Sequence, residues 1–175
     1  APESGATRMG SPVVDLGTGM NAAIGVLTAL VERSVSGAGQ QVDVSLYDSG
    51  IALMHPFHVN YLMGGQVPGL LGNAHPNITP YDKFDTANGA IFLAVGNHRQ
   101  FATFCAHIGC AGLADDPRYA SNQLRNENRD SLIPVLRETL LQLDGVALCG
   151  ELMAIGVPAG PVQDVARVFD HAQTP

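Results

Sequence analysis

Tryptophan is absent from this sequence of 175 residues, charged side chains make up only 14% of it, and long apolar runs are missing. The apolar stretches are interrupted by Asn, Gly, Glu or His well before the roughly 20 residues that a membrane span requires, so we expect neither a transmembrane helix nor a membrane partner. The first residues lack the basic and apolar segments of a signal peptide. Because so little charge is unusual for a solvated surface, the composition predicts that part of this surface is covered by something else.

Basic residues are scarce as well, with 9 Lys and Arg against 16 Asp and Glu, a formal net charge of −7 and a pI near 5.1. Phosphate backbones repel such a chain, which argues against unspecific binding of nucleic acid. Cysteine is limited to Cys105, Cys110 and Cys149, an odd number without Cys-x-x-Cys spacing. This pattern predicts reduced thiols in a cytoplasmic compartment rather than a disulfide framework.

No group of side chains predicts a metal site. His55 and His58 are three residues apart on a predicted helix, but no carboxylate or further His follows at matching spacing. Cys105, His107 and Cys110 coincide with an apolar helical stripe and its terminating Gly, which favours packing over zinc binding. The glycine-rich Walker spacing of nucleoside triphosphatases does not occur either.

Asp15 stands just ahead of a predicted apolar helix over residues 19–33. The other faces of this helix are apolar too, so we expect it to be buried on most sides. Unpaired backbone N–H groups and the positive end of the helix dipole stabilise an anion at such a position. Taken alone, the carboxylate is either a nucleophile or a helix cap, and its spacing favours the cap.

The next segments alternate between predicted strand and helix. Residues 41–46 alternate apolar and polar side chains, which predicts a half-buried strand. A helix is expected from Asp48 or Ser49, with an apolar inward face, a kink or late start at Pro56 and an end at Gly64-Gly65. The inward face would consist of Leu53, Met54, Phe57, Tyr61 and Leu62.

Beyond a long connection from Gly64 to Pro80, a buried strand is predicted at Ile91–Val95. Asn97 and Gln100 resemble a capping box that begins a helix ending at Gly109. Leucine, valine and cysteine spacing predicts later helices around residues 132–143, 149–153 and 165–169. The polar run Asn122 to Asp130 is interpreted as a solvated turn and helix approach.

Five blocks of residues occur in the order typical of one family. They are Asp15-Leu16-Gly17-Thr18-Gly19-Met20 with the helix that follows, Gly37 to Asp48, Leu71-Gly72-Asn73-Ala74-His75-Pro76 with Pro80-Tyr81, Asn88-Gly89 with Ala94-Val95-Gly96-Asn97, and Gly156 to Val162. On these blocks the chain resembles the class III coenzyme A transferases, which include formyl-CoA and carnitine CoA-transferases, with alpha-methylacyl-CoA racemases as relatives. The resemblance covers nearly the whole chain.

The resemblance implies an α/β fold with a Rossmann-like large domain that binds CoA, a smaller α/β domain, and two subunits interlocked as a homodimer. Residues 1–66 then belong to the large domain, residues 67–86 form an interdomain connection with an active-site loop, and residues 87–175 form the small domain. Family members are more than twice as long, so the chain matches their middle portion. Most contacts to the CoA nucleotide would lie in the part that precedes it.

By the same resemblance Asp15 matches the catalytic aspartate, which reverses the preference for a helix cap. Its carboxylate would attack the thioester of an acyl-CoA and pass through an aspartyl anhydride and an aspartyl-CoA thioester before a carboxylic acid acceptor completes the exchange. Coenzyme A then enters as acyl-CoA substrate, and no tightly bound cofactor is implied.

Other candidate site residues follow from the same blocks. Gly72, Asn73 and His75 match a mobile loop that closes over the active site in formyl-CoA transferase, although only one Gly is kept here. Asn73 and His75 could donate hydrogen bonds to an acyl or carboxylate group, and Tyr81 could offer its hydroxyl. Leu46 matches the strand that approaches CoA. Each also has a structural interpretation: an ordered connection, a packed Tyr at a domain boundary, and a core Leu.

Two alternatives to transfer stay open at this point. A racemase relative would move a proton at the carbon alpha to the thioester, using an upstream His with Asp15 and an acidic residue near Asp85. The chain by itself could also be an inactive fragment or an assembly module that lacks the CoA-binding half. The Leu71 to Pro76 block and the Gly96-Asn97 pair resemble transferases more than racemases, which favours CoA transfer.

Overall fold

A computed structural model describes residues 5–174 and divides the chain into two units, Ala1–Leu70 and Leu71–Pro175. The first unit contains α1 (Val13–Ser36), α2 (Leu46–Leu53) and α3 (Phe57–Gly64). The second unit contains β1 (Tyr81–Thr86), β2 (Gly89–Ala94), α4 (His98–His107), α5 (Gly112–Asp115), a 3-10 turn (Pro117–Tyr119), α6 (Asn122–Glu127), α7 (Arg129–Leu140), α8 (Gly145–Ala154), β3 (Ala159–Pro161) and α9 (Val165–Phe169). The division between the units falls inside the segment 67–86, whose last six residues form β1.

Helix α1 begins earlier than the sequence indicated. Pro12 occupies the N-cap position and Asp15 lies inside the first turn, not ahead of the helix. Thr18 lies inside the helix as well, and its hydroxyl donates to the Val14 carbonyl at 2.7 Å, as hydroxyls do within helices. Helix α1 ends at Ser36, three residues after the predicted end at residue 33. Gly37 follows in the left-handed conformation that favours glycine, with φ of 76°.

The prediction that this helix is buried on most sides is wrong for the chain as described. None of its residues is buried among residues 5–174, and Met20, Ile24 and Val31 are each more than three-fifths exposed. A helix that is apolar all round needs partners on several sides, and here α2 and the segment 37–45 are too few to cover it. Its exposed side chains explain why the composition is so poor in charge.

Helix α1 is also long and apolar enough to cross a membrane, by length and composition, which differs from the expectation. The expectation was based on uninterrupted apolar runs, whereas Gly, Thr and Asn interrupt this helix without adding charge. The core helix of a soluble protein passes the same test, so the observation by itself is a weak indication of a span.

The strand predicted over residues 41–46 does not form. A strand requires a hydrogen-bonded neighbour, and the described part of the first unit offers no other strand to pair with. Instead Ser45 caps α2: its hydroxyl accepts from the Asp48 N–H at 3.0 Å and donates to the Asp48 carboxylate at 2.9 Å. This Ser-x-x-Asp pattern was a readable sign that the helix begins at Leu46 and not at Asp48 or Ser49.

The expected break at Pro56 is confirmed, since α2 ends at Leu53 and α3 begins after this proline. Gly65 follows α3 in the left-handed conformation, with φ of 68°, so the predicted stop at the glycine pair is confirmed as well. The predicted inward face is wrong for the chain as described, because Leu53, Met54 and Tyr61 on that face are about half exposed.

The second unit is built around an antiparallel sheet in the order β1–β2–β3. Phe84 on β1 faces Ile91 on β2 in the register, and both are buried. Helices α4, α7 and α8 cover this face with side chains that repeat at helical spacing. The buried apolar set comprises Phe84, Ile91, Leu93, Val95, Phe101, Phe104, Cys105, Ile108, Tyr119, Leu132, Leu136, Leu140, Leu148, Cys149, Leu152 and Val157.

Most predictions for this half are confirmed. Asn97 caps α4 by accepting from the Gln100 N–H at 2.9 Å, and Gly109 follows that helix with φ of 79°. The strand after Asn88-Gly89 and the later helices lie where the spacing placed them. The last family block, Gly156 to Val162, contains β3, whose Gly160 lies opposite Phe92.

Glycine is required at the start of α8. A Cβ added to Gly145 would meet the Thr86 hydroxyl and lie 2.9 Å from Ile91 Cγ2, and both groups belong to the sheet. We expect Gly145→Ala to destabilise this unit by about 1–3 kcal/mol, because neither strand can move away cheaply. Urea unfolding followed by circular dichroism measures the change.

Gly150 on the same helix is the matched control. Nothing lies within 4 Å of a Cβ added there, so Gly150→Ala should stabilise the unit by roughly 0.5–1 kcal/mol through helix propensity. Equal effects at both positions would contradict a close approach of α8 to the sheet.

Candidate active site

Asp15 is exposed in the first turn of α1 and belongs to the first unit. Its carboxylate forms no hydrogen bond or ion pair with any residue that the structure describes. The backbone N–H groups of Val13 and Leu16 find carbonyl acceptors at Ser11 and Pro12, whereas those of Val14 and Asp15 have none within residues 5–174. The positive end of a 24-residue helix therefore presents unpaired donors beside an ionisable oxygen pair.

An open cleft of about 340 Å³ lies beside this carboxylate. Its lining is largely apolar and comes from the N-terminal turn of α1 and the end of α2. The residues are Arg8, Met9, Ser11, Pro12, Val13, Val14, Asp15, Gly50, Leu53 and Met54. The cleft thus combines apolar side chains with the Asp15 carboxylate and the Arg8 guanidinium.

Close packing between α1 and α2 holds the cleft together. A Cβ added to Gly17 would lie 2.7 Å from Leu53 Cδ1, so the glycine lets the two helices approach. Asn21 donates to the buried Ser49 hydroxyl at 3.1 Å and fixes the same pair of helices. The close packing of α1 against α2 therefore accounts for a glycine at position 17 in the first family block.

Leu46 does not lie on a strand, which corrects the sequence interpretation. It is the first residue of α2, it is 54% exposed, and it is not among the residues that line the cleft at Asp15. Its proposed contact with CoA thus rests on the family resemblance.

His75 and Tyr81 lie together in the second unit. Their rings stack with centroids 4.9 Å apart and an angle of 18° between the planes, and the His75 N–H donates to the Tyr81 carbonyl at 2.9 Å. The Asn77 N–H donates to His75 Nδ1 at 3.1 Å. Because Nδ1 accepts this hydrogen bond, a neutral ring carries its proton on Nε2.

Gly72 and Asn73 precede this pair in the same loop and are both exposed. Gly72 has φ of 66°, a left-handed conformation in which a side chain is strained. The loop therefore needs its one glycine at this position. The structure places Gly72, Asn73 and His75 in one loop of the second unit and Tyr81 at the start of β1, while Asp15 and Leu46 belong to the first unit.

The polar run after residue 121 is not a solvated turn, as the sequence had suggested. It forms α6 and the start of α7, whose polar side chains hold the segment 75–79. Asn122 donates to the Asn77 carbonyl at 2.6 Å, and Asn126 donates to the Pro76 carbonyl at 3.2 Å. The helical spacing of Asn122, Arg125, Asn126 and Arg129 was a signal of one common face, but it gave no sign of what that face binds.

Arg125 is fully buried, with its guanidinium 4.6 Å from the ring centroid of Phe101. It donates from Nε to the Thr79 carbonyl at 2.7 Å and from Nη1 to the Tyr119 carbonyl at 3.1 Å. Nη2 has no partner among the described residues. Burial lowers the pKa of this group, and the Phe101 ring partly offsets the loss of water.

Within the described part of the chain, histidine and cysteine form no cluster of metal ligands. Residues 5–174 contain no group of three or more His, Cys, Asp or Glu that could hold an ion. The rings of His55 and His58 meet edge to face with centroids 5.8 Å apart. Cys105 packs in the core, where burial raises the pKa of its thiol to about 12 and keeps it protonated.

The sequence model of CoA-transferase family III matches residues 1–175. This chain belongs to that family. The resemblance read from the five blocks is thus confirmed, and the chain is a mixed α/β polypeptide with a small antiparallel sheet.

The chain is similar to curated enzymes and to proteins with solved crystal structures. A succinate–glutarate CoA-transferase from Agrobacterium fabrum is 35% identical over 172 residues, which are 98% of this chain and 43% of that protein. A succinyl-CoA:mesaconate CoA-transferase from Haloarcula hispanica is 35% identical over 164 residues, 94% of this chain and 41% of that protein. The crystal structure of a CAIB/BAIF family protein from Brucella suis is 38% identical, with a TM-score of 0.69 over 96% of this chain and 44% of that one.

The family III chain therefore spans less than half the length of the curated relatives that it matches.

Asp85, the acidic residue considered for a racemase-like reaction, is exposed on β1 and pairs with Lys83 at 2.9 Å.

Proposed function

We propose that this protein is an acyl-CoA:carboxylate CoA-transferase in which Asp15 is the nucleophile. Membership of CoA-transferase family III is the observation that carries the proposal. The position of Asp15 supports it: the carboxylate is exposed, unpaired among the described residues, and placed at a helix N-terminus beside a largely apolar cleft.

The reaction proceeds by exchange at one carboxylate. An Asp15 oxygen attacks the thioester carbonyl, the C–S bond breaks, and an aspartyl anhydride and CoA thiolate form. The thiolate then attacks the aspartyl carbonyl of the anhydride, which releases the first acid and leaves an aspartyl-CoA thioester. The acceptor carboxylate attacks that thioester and forms a second anhydride, and the returning thiolate takes the acceptor acyl group, which frees Asp15.

The chemistry needs an ionised carboxylate, donors for the developing oxyanion and little water. A carboxylate nucleophile attacks through an oxygen that carries no proton, so the proposed reaction uses no general base at this step. The unpaired N–H groups of Val14 and Asp15 are donors of the kind that stabilise developing negative charge. In the chain as described the cleft is open and Asp15 is exposed, so the proposal requires the remaining part of the large domain or the bound acyl-CoA to exclude water.

The proposed substrates are short dicarboxylic acids and their CoA thioesters. Two relatives are named for succinate, glutarate and mesaconate, each of which carries a second carboxylate. Asn73, His75 and Tyr81 offer the hydrogen-bond donors that such a group requires. Gly72 allows the turn that presents them.

The assembly proposed for the protein is the interlocked homodimer, with α1 inside a Rossmann-like large domain that covers its apolar faces. This helix has no buried residue among residues 5–174, so it needs further partners. The CoA nucleotide would then be held by that same remaining part of the large domain.

Trapping the intermediate on Asp15 tests the proposal. The full-length protein is incubated with succinyl-CoA and no acceptor, then treated with hydroxylamine, and the peptide containing Asp15 is analysed by mass spectrometry. We expect a hydroxamate on Asp15 in the wild type and none in Asp15→Asn. Exchange of the substrate's alpha hydrogen for deuterium without any adduct would instead support racemase-like proton transfer.

A further inference from the structure

Arg8 is a cation at the Asp15 cleft that takes no part in the proposed exchange steps. Its side chain is exposed, lines the same cleft as the carboxylate, and forms no hydrogen bond, ion pair or ring contact with any residue that the structure describes. A guanidinium is a planar fork of N–H donors that matches a carboxylate in two parallel hydrogen bonds. Arg8 is therefore available to an anionic group of a ligand in this cleft.

The charge of the first unit makes this position unusual. Arg8 and Arg33 are the Lys and Arg residues of the sequence from 1 to 70, which carries five Asp and Glu, and the whole chain has a formal net charge of −7. Such a chain repels anions, so an anionic substrate needs a local positive charge where it binds. Arg33 lies in the last turn of α1, a rise of roughly 27 Å from Asp15, and is too far away to supply it.

The lining of the cleft indicates which anion suits Arg8. The walls are largely apolar, with Met9, Leu53 and Met54 among them, and the volume of about 340 Å³ is typical of a small-molecule site. A few methylene groups separate the two carboxyl groups of succinate or glutarate, whereas the pantetheine arm places the phosphates of CoA many bonds from its thioester. A cation that shares one small cleft with the nucleophile thus suits the far carboxylate of a diacid better than a CoA phosphate.

We infer that Arg8 is a specificity-determining residue whose guanidinium binds the far carboxylate of a dicarboxylic substrate while the other carboxyl group reacts at Asp15. The inference rests on the proposed function and deepens it, because it assigns the preference for a second carboxylate to one cation in the unit that carries the nucleophile. Asn73 and Tyr81 can add hydrogen bonds but no positive charge. Since the donor and the acceptor acid react in turn at the same Asp15, one guanidinium serves both.

Competition between glutarate and pentanoate for succinyl-CoA tests the inference in the full-length protein. The two acids have the same carbon chain, and only glutarate carries a far carboxylate, so the ratio of the two acyl-CoA products gives the ratio of kcat/KM whatever the amount of folded enzyme. We expect Arg8→Gln to lower this ratio at least about tenfold, as for a lost hydrogen bond to a charged group. Arg8→Lys keeps the charge but loses the fork, so its ratio should lie between those of the wild type and Arg8→Gln.

Arg33→Gln is the matched control. It removes the same charge from the same unit, but Arg33 is exposed near the other end of α1 and does not line the cleft. Its product ratio should equal that of the wild type. Equal losses in Arg8→Gln and Arg33→Gln would reveal an effect of net charge and overturn the inference. A contact of Arg8 with CoA would lower kcat/KM for both acids alike, and the unchanged ratio would overturn the inference as well.

Binding to the Asp15→Asn protein gives a second readout that does not depend on catalysis. Calorimetric titration compares the Kd of glutaryl-CoA with the Kd of pentanoyl-CoA, first in Asp15→Asn and then in the double variant that also carries Arg8→Gln. We expect the preference for glutaryl-CoA to fall about tenfold when Arg8 is replaced.

The outcomes separate the inference from the proposed function. Full activity of Asp15→Asn overturns the proposed function, while the binding preference still reports on Arg8. An inactive Asp15→Asn protein, together with an unchanged product ratio and an unchanged binding preference in Arg8→Gln, overturns only the inference. Because Arg8 is exposed and has no partner among residues 5–174, its variants should unfold like the wild type. If Arg8→Gln does not fold, Arg8→Met takes its place, and an unchanged ratio in that variant overturns the inference.

Discussion

Asp15→Asn is expected to lower the rate of CoA transfer by at least about 10³-fold in the full-length protein, because the amide keeps the shape of the side chain and removes its nucleophilic charge. The kcat of exchange between succinyl-CoA and a dicarboxylic acceptor measures the loss. The carboxylate is exposed and has no partner among residues 5–174, so its removal leaves no buried group unpaired. A normal unfolding curve should therefore accompany the inactive variant.

Asp15→Glu asks whether position matters as well as charge. The glutamate carboxylate stays ionised, but one extra methylene moves it away from its place in the first turn of α1. A misplacement of about 1 Å at a reacting group costs roughly 10²-fold in rate, so we expect activity between that of the wild type and that of Asp15→Asn.

Asp43→Asn is the matched control in the same unit. Asp43 is exposed and accepts a hydrogen bond from Gln41 at 2.7 Å, but it does not line the cleft at Asp15. Its activity should be that of the wild type. Full activity in Asp15→Asn would mean that this residue only stabilises the helix N-terminus, which is the other interpretation of its position.

Phe101→Ala has the largest stability effect that we expect in the second unit, a loss of about 3–5 kcal/mol. The ring is fully buried in the core and also forms the surface against which the Arg125 guanidinium stacks at 4.6 Å. Removing it leaves a cavity and takes an attractive partner away from a buried cation, so the cost should lie in the upper part of that range. Because Arg125 holds the Thr79 carbonyl, the loop with His75 should loosen too.

Urea unfolding followed by far-ultraviolet circular dichroism suits this measurement, since the chain contains no tryptophan. Phe169→Ala on α9 is the control, because that ring is 70% exposed. Its free energy of unfolding should change by less than about 0.5 kcal/mol. Similar losses in both variants would show that Phe101 does not carry the packing around Arg125.

Local signals predicted much of the second unit. The capping pair Asn97 and Gln100, the stripe Phe101, Phe104, Cys105 and Ile108, and the turn at Asn88-Gly89 each act over a few residues, and the structure has the elements they indicated. Such signals suffice where the unit contains its own core, because the apolar face of each element finds a partner within the same chain.

Local signals predicted less of the first unit. Residues 41–45 have a strand pattern, yet pairing requires a neighbour that residues 5–70 do not supply, so the cap at Ser45 decides the local structure. The apolar faces of α1 predicted a helix buried on most sides, but a periodicity cannot say what covers those faces, and none of its residues is buried among residues 5–174.

The sequence by itself determined the family, through five ordered blocks, and the same blocks singled out Asp15 as the proposed nucleophile, because ordered motifs are recognisable along the sequence without a structure. Only the tertiary structure revealed the buried Arg125 and the hold of Arg129 on His75. Those contacts join residues about 50 positions apart along the chain. The polar run Asn122 to Asp130 has the composition of a solvated segment, and only the fold shows that Arg125 and Arg129 in this run bind backbone carbonyls of the segment 75–79.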